Sequence, residues 1–345
     1  GYTGFTPFLD SLIGHSLWFT HSYGNGRKSI DGMPSVLASI PMFVEPYFLT
    51  SYSTNKINSI ASALRAEGYH TAFFHGAPNG SMGFQAFANV AGFEEYYGMS
   101  EYPDPSHFDG MWGVWDEEFF QFFAQTLNKF PQPFCAALFS VSSHHPFKVP
   151  ERYEGVFPKG TLPIHQCIAY TDYSLKRFFE TVSRMDWYPN TLFVITADHP
   201  NQTQFPEYQT SVGAFAVPLI FYRPDNSLAG QKDEFAQQID IMPSVLGYLH
   251  YSKPFIAFGR DVFDSTSKPF VVNYINNCYQ YYSDDYVLIF DGKKTLGLYN
   301  IKDDIMLTNN LQGQLPDRVN EMESKLKAIV QQYNSRMIDD NLVVK

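Results

Sequence analysis

The stretch TLFVITADH, from Thr191 to His199, contains the pattern on which the fold prediction depends. Residues Thr191–Ala197 form a continuous apolar run, which is typical of a strand buried on both faces of a parallel sheet. Asp198 and His199 follow at the end of this strand, where open α/β sheets gather their ligands. A carboxylate and an imidazole are natural metal ligands there. The structural alternative is an Asp that caps the backbone beside a partly buried His.

Helical and strand patterns alternate on both sides of this stretch, up to about residue 260. Further strands are predicted at Ser16–Tyr23, His70–His75, Phe134–Val141 and Ala214–Tyr222. Helices are predicted at Pro34–Ile40, Asp116–Asn128 and Ile241–His250. Two more are predicted from helical spacing, one from Ile57, Ile60 and Leu64, and one from Ile164, Ile168, Leu175, Phe179 and Val182. This alternation predicts an α/β fold with a mostly parallel sheet between helices.

The pattern changes after residue 265. Short strands are predicted at Phe270–Asn276, Tyr286–Phe290 and Thr295–Tyr299, with Asp291-Gly292 as the hairpin turn between the last two. Val319, Met322, Leu326 and Ile329 have the spacing of one helix. We therefore expect a first domain over residues 1–265 and a small α+β C-terminal subdomain, an antiparallel sheet plus a helix, over residues 266–345.

Composition excludes several classes of protein. Lys and Arg number 24 against 35 Asp and Glu, a net charge of −11, which argues against a protein that binds the nucleic-acid backbone. An anionic substrate is still possible, because a local site can oppose the net charge. The three cysteines lie far apart, so a structural zinc site is not expected. Aromatic residues make up 17% of the chain, and we expect them to serve core packing.

A second segment with chemical potential is YGNGRKSIDGMP, residues 23–34. It follows a predicted strand and precedes a predicted helix, and a helix N-terminus favours anions. Ser29, flanked by Arg27 and Lys28, would lie where a phosphoryl group could be held, and a metal or a base would make its hydroxyl a nucleophile. The alternative is a glycine-rich surface turn with an N-capping serine.

Histidines follow two other predicted strands, His75 in one case and His144-His145 in the other. Either could bind or protonate an oxyanion or a leaving group. The alternative is a hydrogen-bonded loop residue in each case. Because Ser29, Asp198-His199 and these histidines all follow strands, one edge of a sheet could gather them.

Two acidic segments are interpreted as structural. Asp116-Glu117-Glu118 fits the acidic first turn of a helix, where carboxylates stabilise the N-terminus. Asp240-Ile241-Met242-Pro243 similarly begins a predicted helix.

Seven motifs, in this order, resemble the alkaline phosphatase superfamily, and within it the sulfatase-like branch of lipoteichoic acid synthases and phosphoglycerol transferases. They are Thr6-Pro7-Phe8-Leu9-Asp10, NGRKSIDG at residues 25–32, Phe74-His75-Gly76, WGVWDE at residues 112–117, SHHPF at residues 143–147, Ala197-Asp198-His199, and QIDIMP at residues 238–243. The resemblance covers nearly the whole chain and implies an alkaline-phosphatase-like fold.

The resemblance also implies the roles of individual residues. Ser29 takes the place of the nucleophile and of a metal ligand, and Asp198 and His199 match the next two ligands of one divalent metal, which would be Mn, Mg or Zn. The substrate pocket would be formed by His75, His144, Lys28, Arg27 and Gln85.

The expected reaction is a metal-dependent phosphoryl-group transfer. A phosphoglycerol-type head group would move from a lipid phosphodiester donor to a glycan or lipid acceptor of the envelope through a phospho-Ser29 intermediate. Members of this family are anchored in the cell membrane with the catalytic domain on its extracytoplasmic side. No initiator Met precedes Gly1, so we expect the native chain, and with it the membrane anchor, to continue upstream.

Three departures from the family pattern qualify these expectations. The nucleophile is Ser rather than Thr, a change that the chemistry tolerates. The family's fourth, acidic ligand would lie upstream of residue 1, so we expect weak metal binding or none in this chain. Gly83-Phe84-Gln85 stands where lipoteichoic acid synthases have Trp-Asn-Arg, so the head group need not be phosphoglycerol.

Four alternatives to this function were compared with the same residues. A phosphoethanolamine transferase or a phosphodiesterase would use the same core. A sulfatase-like hydrolase acting through formylglycine is disfavoured, because Ser29–Met33 lacks the Pro and Arg of the C/S-x-P-x-R context. The last possibility is a degenerate, non-catalytic domain that binds an envelope glycan or lipid head group.

Overall fold

A computed structural model describes residues 4–344. These residues form two compact units, each built from several segments of the chain. The first unit comprises residues 4–17, 61–193 and 221–230, and the second comprises residues 18–60, 194–220 and 231–344. The predicted boundary at residue 265 stays a prediction.

The structure contains helices and strands in alternation up to residue 248. The helices are α1 Pro7–Ile13, α2 Ser29–Ala38, α3 Ile60–Arg65, α4 Phe84–Ala91, α5 Asp116–Leu127, α6 Ile164–Val182, α7 Ile241–Tyr248 and α8 Pro316–Ile338. The strands are β1 Ser16–Tyr23, β2 His70–His75, β3 Glu95–Tyr97, β4 Phe134–Phe139, β5 Phe193–Thr196, β6 Leu219–Tyr222, β7 Gly230–Gln237, β8 Val271–Ile275, β9 Cys278–Ser283, β10 Tyr286–Phe290 and β11 Thr295–Asn300. Short 3-10 turns lie between several of these elements.

The first unit contains a three-stranded sheet of order β3-β2-β4, whose strands are all parallel. Ala72 of β2 lies opposite Glu95 on one side and Ala136 on the other. Helix α5 packs on α6, and α6 also packs on α1. Phe74 is fully buried and stacks on Tyr97 with ring centroids 4.5 Å apart, so aromatic side chains form this core as predicted.

A four-stranded sheet of order β5-β6-β1-β7 lies for the most part in the second unit. Helix α2 follows β1 and packs against α7. The core beneath this sheet is continuous with that of the C-terminal strands, because one buried cluster unites residues of both. Its members are Tyr23, Val212, Phe215, Phe235, Val271, Tyr282 and Val287.

The C-terminal strands form a separate antiparallel sheet of order β11-β10-β9-β8, against which α8 packs. The predicted hairpin turn is present between β10 and β11. The Asp291 carboxylate accepts hydrogen bonds of 2.8 Å from the backbone N–H groups of Lys293 and Lys294. Gly292 has a φ of +89°, a conformation that glycine adopts without steric cost.

Most predicted elements are confirmed, and several details are corrected. Helix α2 begins at Ser29 rather than at Pro34, because the Asp31 carboxylate accepts the Lys28 backbone N–H at the helix N-terminus. The residues of β5 are half-buried rather than buried on both faces. Strand β7 has no apolar alternation in its first half, GQKDE, which is largely exposed, and sequence reasoning missed it. None of the helices in the described part of the chain has the length and apolar character that crossing a bilayer requires.

Candidate active site

Ser29 is the first residue of α2, and its hydroxyl points at the end of β5. Its Oγ donates a hydrogen bond of 2.6 Å to Asp198 Oδ2. The side chain is buried, so the hydroxyl is held in this direction and is shielded from most of the solvent. Both residues belong to the second unit, and they are the two that the sequence assigned to a nucleophile and a metal ligand.

The imidazole of His199 also lies beside the Asp198 carboxylate. Its Nε2 lies 3.3 Å from Asp198 Oδ2, and its backbone N–H donates to Asp198 Oδ1 at 2.9 Å. The ring Nδ1 lies 2.8 Å from the Pro200 carbonyl oxygen, which can only accept, so Nδ1 carries the proton. Nε2 is the ring nitrogen that faces the Asp198 carboxylate.

This donor set fits a cation. His199 Nε2 and Asp198 Oδ2 lie 3.3 Å apart, so one cation could contact both atoms. Hydroxyl, carboxylate and imidazole are all ligands for the divalent metals named above. Among residues 4–344 no group of three or more His, Cys, Asp and Glu side chains is arranged to hold a metal ion. The groups that meet at this point are one carboxylate, one imidazole and one hydroxyl, those of Asp198, His199 and Ser29.

Asp31 supports the loop that precedes Ser29. Its Oδ2 accepts the backbone N–H groups of Arg27 at 3.1 Å and Lys28 at 3.0 Å. Its Oδ1 is buried without a hydrogen-bond partner among the described residues, and burial raises the pKa of this carboxyl despite the two backbone hydrogen bonds. The side chains of Arg27 and Lys28 are exposed just before the predicted phosphoryl position.

Two glycines allow this close packing. A Cβ at Gly26 would lie 2.1 Å from Asp31 Cβ, and a Cβ at Gly32 would lie 3.1 Å from Asp198 Cβ. Glycine at residue 26 therefore lets the loop lie directly on Asp31, and glycine at residue 32 lets α2 approach the end of β5.

His144, in the first unit, lies beside an open cleft. Its polar and aromatic lining comprises Asp109, Trp112, Trp115, Ser142, His144 and Lys148. The Trp112 and His144 rings lie 4.0 Å apart between centroids, and the Trp112 indole N–H donates to the His145 carbonyl oxygen. Trp112 thus contacts both histidines, His144 through its ring and His145 through its N–H group.

Asp116, Glu117 and Glu118 form the acidic first turn of α5 as predicted, but the Asp116 side chain makes its hydrogen bonds outside the helix. It accepts hydrogen bonds from the backbone N–H groups of Val141 at 2.9 Å and Ser142 at 3.2 Å, and from Thr171 Oγ1 at 2.9 Å. Burial raises the pKa of Asp116, and these hydrogen bonds oppose that shift. Asp116 therefore anchors the segment that leads from β4 to His144.

His75 is buried between the rings of Phe84 and Phe139. Its Nδ1–H donates to the Phe139 carbonyl oxygen at 3.1 Å, and its Nε2 has no hydrogen-bond partner in the described part of the chain. Burial lowers the pKa of His75 to about 4, so the ring is neutral at pH 7. Gln85 lies half-buried in the first turn of α4.

The structure thus brings Ser29, Asp198 and His199 together within the second unit. His75, His144 and Gln85 belong to the first unit, and their roles stay predictions. Sequence reasoning missed Asp31, which is inside the quoted NGRKSIDG motif, and Gln238, which is inside the quoted QIDIMP motif. Membership in those motifs was the only signal for either residue. Asp31 contacts the backbone of its own motif, at Arg27 and Lys28, whereas the partners of Gln238 lie in distant loops.

Similar proteins were found by sequence. The Sulfatase family profile matches residues 1–251. The lipoteichoic acid synthase-like protein YvgJ of Bacillus subtilis is 24% identical over 306 residues, covering 80% of this chain and 49% of that protein. Lipoteichoic acid synthase 1 of the same organism is 24% identical, covering 99% of this chain and 54% of that protein. The chain therefore spans about half the length of these curated relatives.

Solved structures show the same fold. A protein of the alkaline phosphatase superfamily from Vibrio parahaemolyticus superposes with a TM-score of 0.84 at 23% identity, covering 99% of this chain and 83% of that one. The lipoteichoic acid synthase LtaP from Listeria monocytogenes superposes with a TM-score of 0.80 at 22% identity, covering 96% and 86%.

These matches confirm three predictions: the alkaline-phosphatase-like fold, the resemblance to lipoteichoic acid synthases, and an enzyme of the alkaline phosphatase superfamily. The match to the family profile extends over the segments that carry Ser29, Asp198 and His199. The chain belongs to the Sulfatase family.

Proposed function

We propose that this chain is a metal-dependent phosphotransferase that moves a phosphoglycerol-type head group from a lipid phosphodiester to an acceptor hydroxyl of the cell envelope. One observation carries the proposal. The Ser29 hydroxyl is aimed at Asp198 Oδ2 at 2.6 Å, and His199 Nε2 lies 3.3 Å from the same oxygen. The names of the sequence relatives, lipoteichoic acid synthases, support the choice of head group.

In the proposed first step Ser29 Oγ attacks the phosphorus in line, and an O–P bond forms as the bond to the lipid alcohol breaks. Asp198 Oδ2 accepts the proton of the Ser29 hydroxyl, because it is already the acceptor of that hydrogen bond. The leaving alkoxide takes a proton from solvent water and departs as diacylglycerol. In the second step an acceptor hydroxyl attacks the phosphorus on Ser29 and releases its proton to solvent. The Ser29 O–P bond breaks, and Ser29 regains its proton from Asp198.

Ser29, Asp198 and His199 would hold the divalent cation. When bound, it would favour the ionised form of the Ser29 hydroxyl and neutralise charge on the phosphoryl oxygens. His199 is prepared for this role by its Nδ1–H, which donates to the Pro200 carbonyl and fixes the ring with Nε2 free. The N-terminus of α2, on which Ser29 lies, adds partial positive charge near the phosphoryl position.

Location and partners are part of the proposal. We propose that the catalytic domain acts on the extracytoplasmic side of the cell membrane, because its acceptor would be a component of the cell envelope. The substrate-binding roles of Arg27, Lys28, His75, His144 and Gln85 stay predictions. A phosphoethanolamine donor or water as acceptor would use the same steps, and the experiment separates these outcomes.

The test measures diacylglycerol release from detergent-dispersed phosphatidylglycerol with Mn²⁺, Mg²⁺ or Zn²⁺, for the natural chain and for Ser29→Ala. We expect release that requires a divalent metal and is abolished in Ser29→Ala. It should be accompanied by a Ser29 peptide that carries a glycerophosphoryl group in mass spectrometry. Full turnover by Ser29→Ala would contradict the mechanism. Diacylglycerol release from phosphatidylethanolamine but not from phosphatidylglycerol would show that the head group is phosphoethanolamine. Free glycerol phosphate as the main product would show that the reaction is hydrolysis.

A further inference from the structure

One buried amide side chain connects the two loops of the candidate active site. Gln238, 1% exposed, begins the short 3-10 turn that precedes α7. Its Oε1 accepts the backbone N–H of Asn25 at 2.9 Å. Its Nε2 donates to the carbonyl oxygens of Ala197 at 2.7 Å and Asp198 at 2.8 Å. Gln238 thus contacts the backbone on the approach to Ser29 and the backbone that carries Asp198.

The chemistry of these three contacts requires a carboxamide. A backbone N–H can only donate and the two carbonyls can only accept, so the orientation of the Gln238 amide is fixed by its partners. Each partner is a main-chain group, so the Gln238 amide holds the backbones of the two loops at a fixed separation. A carboxylate at this position would keep the contact with Asn25 but would face the two carbonyls with oxygen.

The Asn25 side chain reinforces the same connection from the other side. Its Oδ1 accepts the backbone N–H of Ile239 at 3.0 Å, and its Nδ2 donates to Gln237 Oε1 and to the Val272 carbonyl oxygen, both at 2.8 Å. The loop of residues 24–28 is therefore tied to the 3-10 turn by reciprocal hydrogen bonds. Of these contacts, Gln238 alone also reaches the end of β5.

We propose that Gln238 is a positioning residue that sets the distance between the Ser29 hydroxyl and the Asp198 carboxylate. The inference rests on the proposed function for its catalytic consequence, because Ser29 and Asp198 act there as nucleophile and proton acceptor. Loss of the amide lets the end of β5 and the loop before Ser29 move independently. A displacement of about 1 Å at reacting groups lowers a rate by roughly 100-fold.

The test compares Gln238→Glu and Gln238→Leu with Gln237→Leu as the matched control. Gln237 is the same residue type at the preceding position and is fully buried. It also makes three hydrogen bonds, but to the Asn25 side chain, Val272 N and the Phe270 carbonyl oxygen. Its replacement therefore reports the cost of losing a buried amide without direct loss of the contact to Asp198.

We expect both Gln238 variants to lower kcat for diacylglycerol release by about 10- to 100-fold with KM within about 2-fold. Their Mn²⁺ dissociation constants should rise by about 10-fold, as for other groups that orient metal ligands. Gln237→Leu should lose about as much thermal stability as the Gln238 variants, but its kcat should change much less than theirs. An equal fall of kcat in Gln237→Leu and Gln238→Leu would overturn the proposal.

Hydrogen exchange measured by mass spectrometry provides a readout that needs no donor lipid and no metal. Gln238→Leu should accelerate exchange in the peptides that cover residues 24–30 and 194–199 together. Gln237→Leu removes a hydrogen bond to the Asn25 side chain, so it should accelerate exchange around residues 24–30 and 270–275 but leave residues 194–199 unchanged. Unchanged exchange in the first two peptides would overturn the positioning role. If the natural chain itself releases no diacylglycerol, the proposed function fails, and these exchange rates alone decide the role of Gln238.

Discussion

Ser29 and Asp198, 169 residues apart in the chain, share a hydrogen bond of 2.6 Å from the serine hydroxyl to the carboxylate. The distance is at the short end for two oxygen atoms, as is usual when the acceptor is charged. Ser29 is buried, while Asp198 keeps 27% of its side chain exposed. A reactant can therefore approach from the Asp198 side while the hydroxyl stays oriented.

Asp198→Asn tests the function of that carboxylate. The amide can still accept the Ser29 hydrogen bond, but it cannot take the proton. We expect kcat for diacylglycerol release to fall by about 10²- to 10⁴-fold, the range for loss of a general base. The thermal midpoint should change little, because Asp198 is partly exposed. Activity above a tenth of the natural level would show that another group accepts the proton.

Gly26→Ala tests the contact between the loop and Asp31. The added Cβ would lie 2.1 Å from Asp31 Cβ, so the loop or the carboxylate has to move. We expect a loss of about 1–3 kcal/mol in the free energy of unfolding, measured by urea denaturation, as for overpacked sites. Gly313→Ala is the control, since nothing lies within 4 Å of its added Cβ. Equal stability of the two variants would contradict the contact.

His75→Gln tests the buried imidazole through the pH dependence of stability. The folded pKa is about 4 against 6.5 for an ordinary histidine, so between these values the unfolded chain binds a proton that the folded chain does not. Stability from this group is therefore present above pH 6.5 and is lost as the pH falls toward 4, at about 1.4 kcal/mol per pH unit. The variant should lack this component.

Urea denaturation at pH 7 and at pH 4.5 measures the difference. The fall in unfolding free energy between the two values should be smaller in His75→Gln than in the natural chain by roughly 2–3 kcal/mol. The comparison uses the change with pH, so a constant loss of stability from the substitution does not affect it. Parallel pH profiles of the two proteins would rule out a buried neutral His75.

Trp112→Ala tests the support of His144. The substitution removes the ring that lies 4.0 Å from His144 and the N–H that holds the His145 carbonyl. An aromatic pair contributes about 0.5–1.5 kcal/mol, so we expect KM for the lipid donor to rise by about 2- to 12-fold if His144 binds it. Trp112→Phe keeps a ring, so its KM should lie between those of the natural chain and Trp112→Ala. An unchanged KM in Trp112→Ala would remove the predicted substrate role of His144.

Sequence reasoning could locate residues of the candidate site where polar side chains follow a strand directly. Asp198 and His199 could be placed because TLFVITA is a strand pattern and ligands gather at strand ends. The same reasoning placed Ser29 at a helix N-terminus after β1. The predicted start of this helix, at Pro34, was wrong. Proline is typical of a first helical turn, and residue types alone do not show that Asp31 makes the capping contact.

The support of the site could not be predicted in the same way. Gln238 contacts residues 25, 197 and 198, and nothing in its local sequence indicates those partners. Asp116 similarly resembles an ordinary acidic helix turn, yet its partners are Val141, Ser142 and Thr171. Side chains of this kind are set by packing between distant segments, which periodicity and spacing do not report.

The place of Gln238 in the chain has a consequence for synthesis. Proteins are made from the N-terminus, and a ribosome that has just added Asp198 has already supplied both the serine and its carboxylate. The amide that joins their loops is not yet made, so the pair forms its final arrangement only after the chain has grown beyond residue 238. An incomplete chain ending before that residue would contain every reactive group proposed here and still lack the bridge that brings them into register.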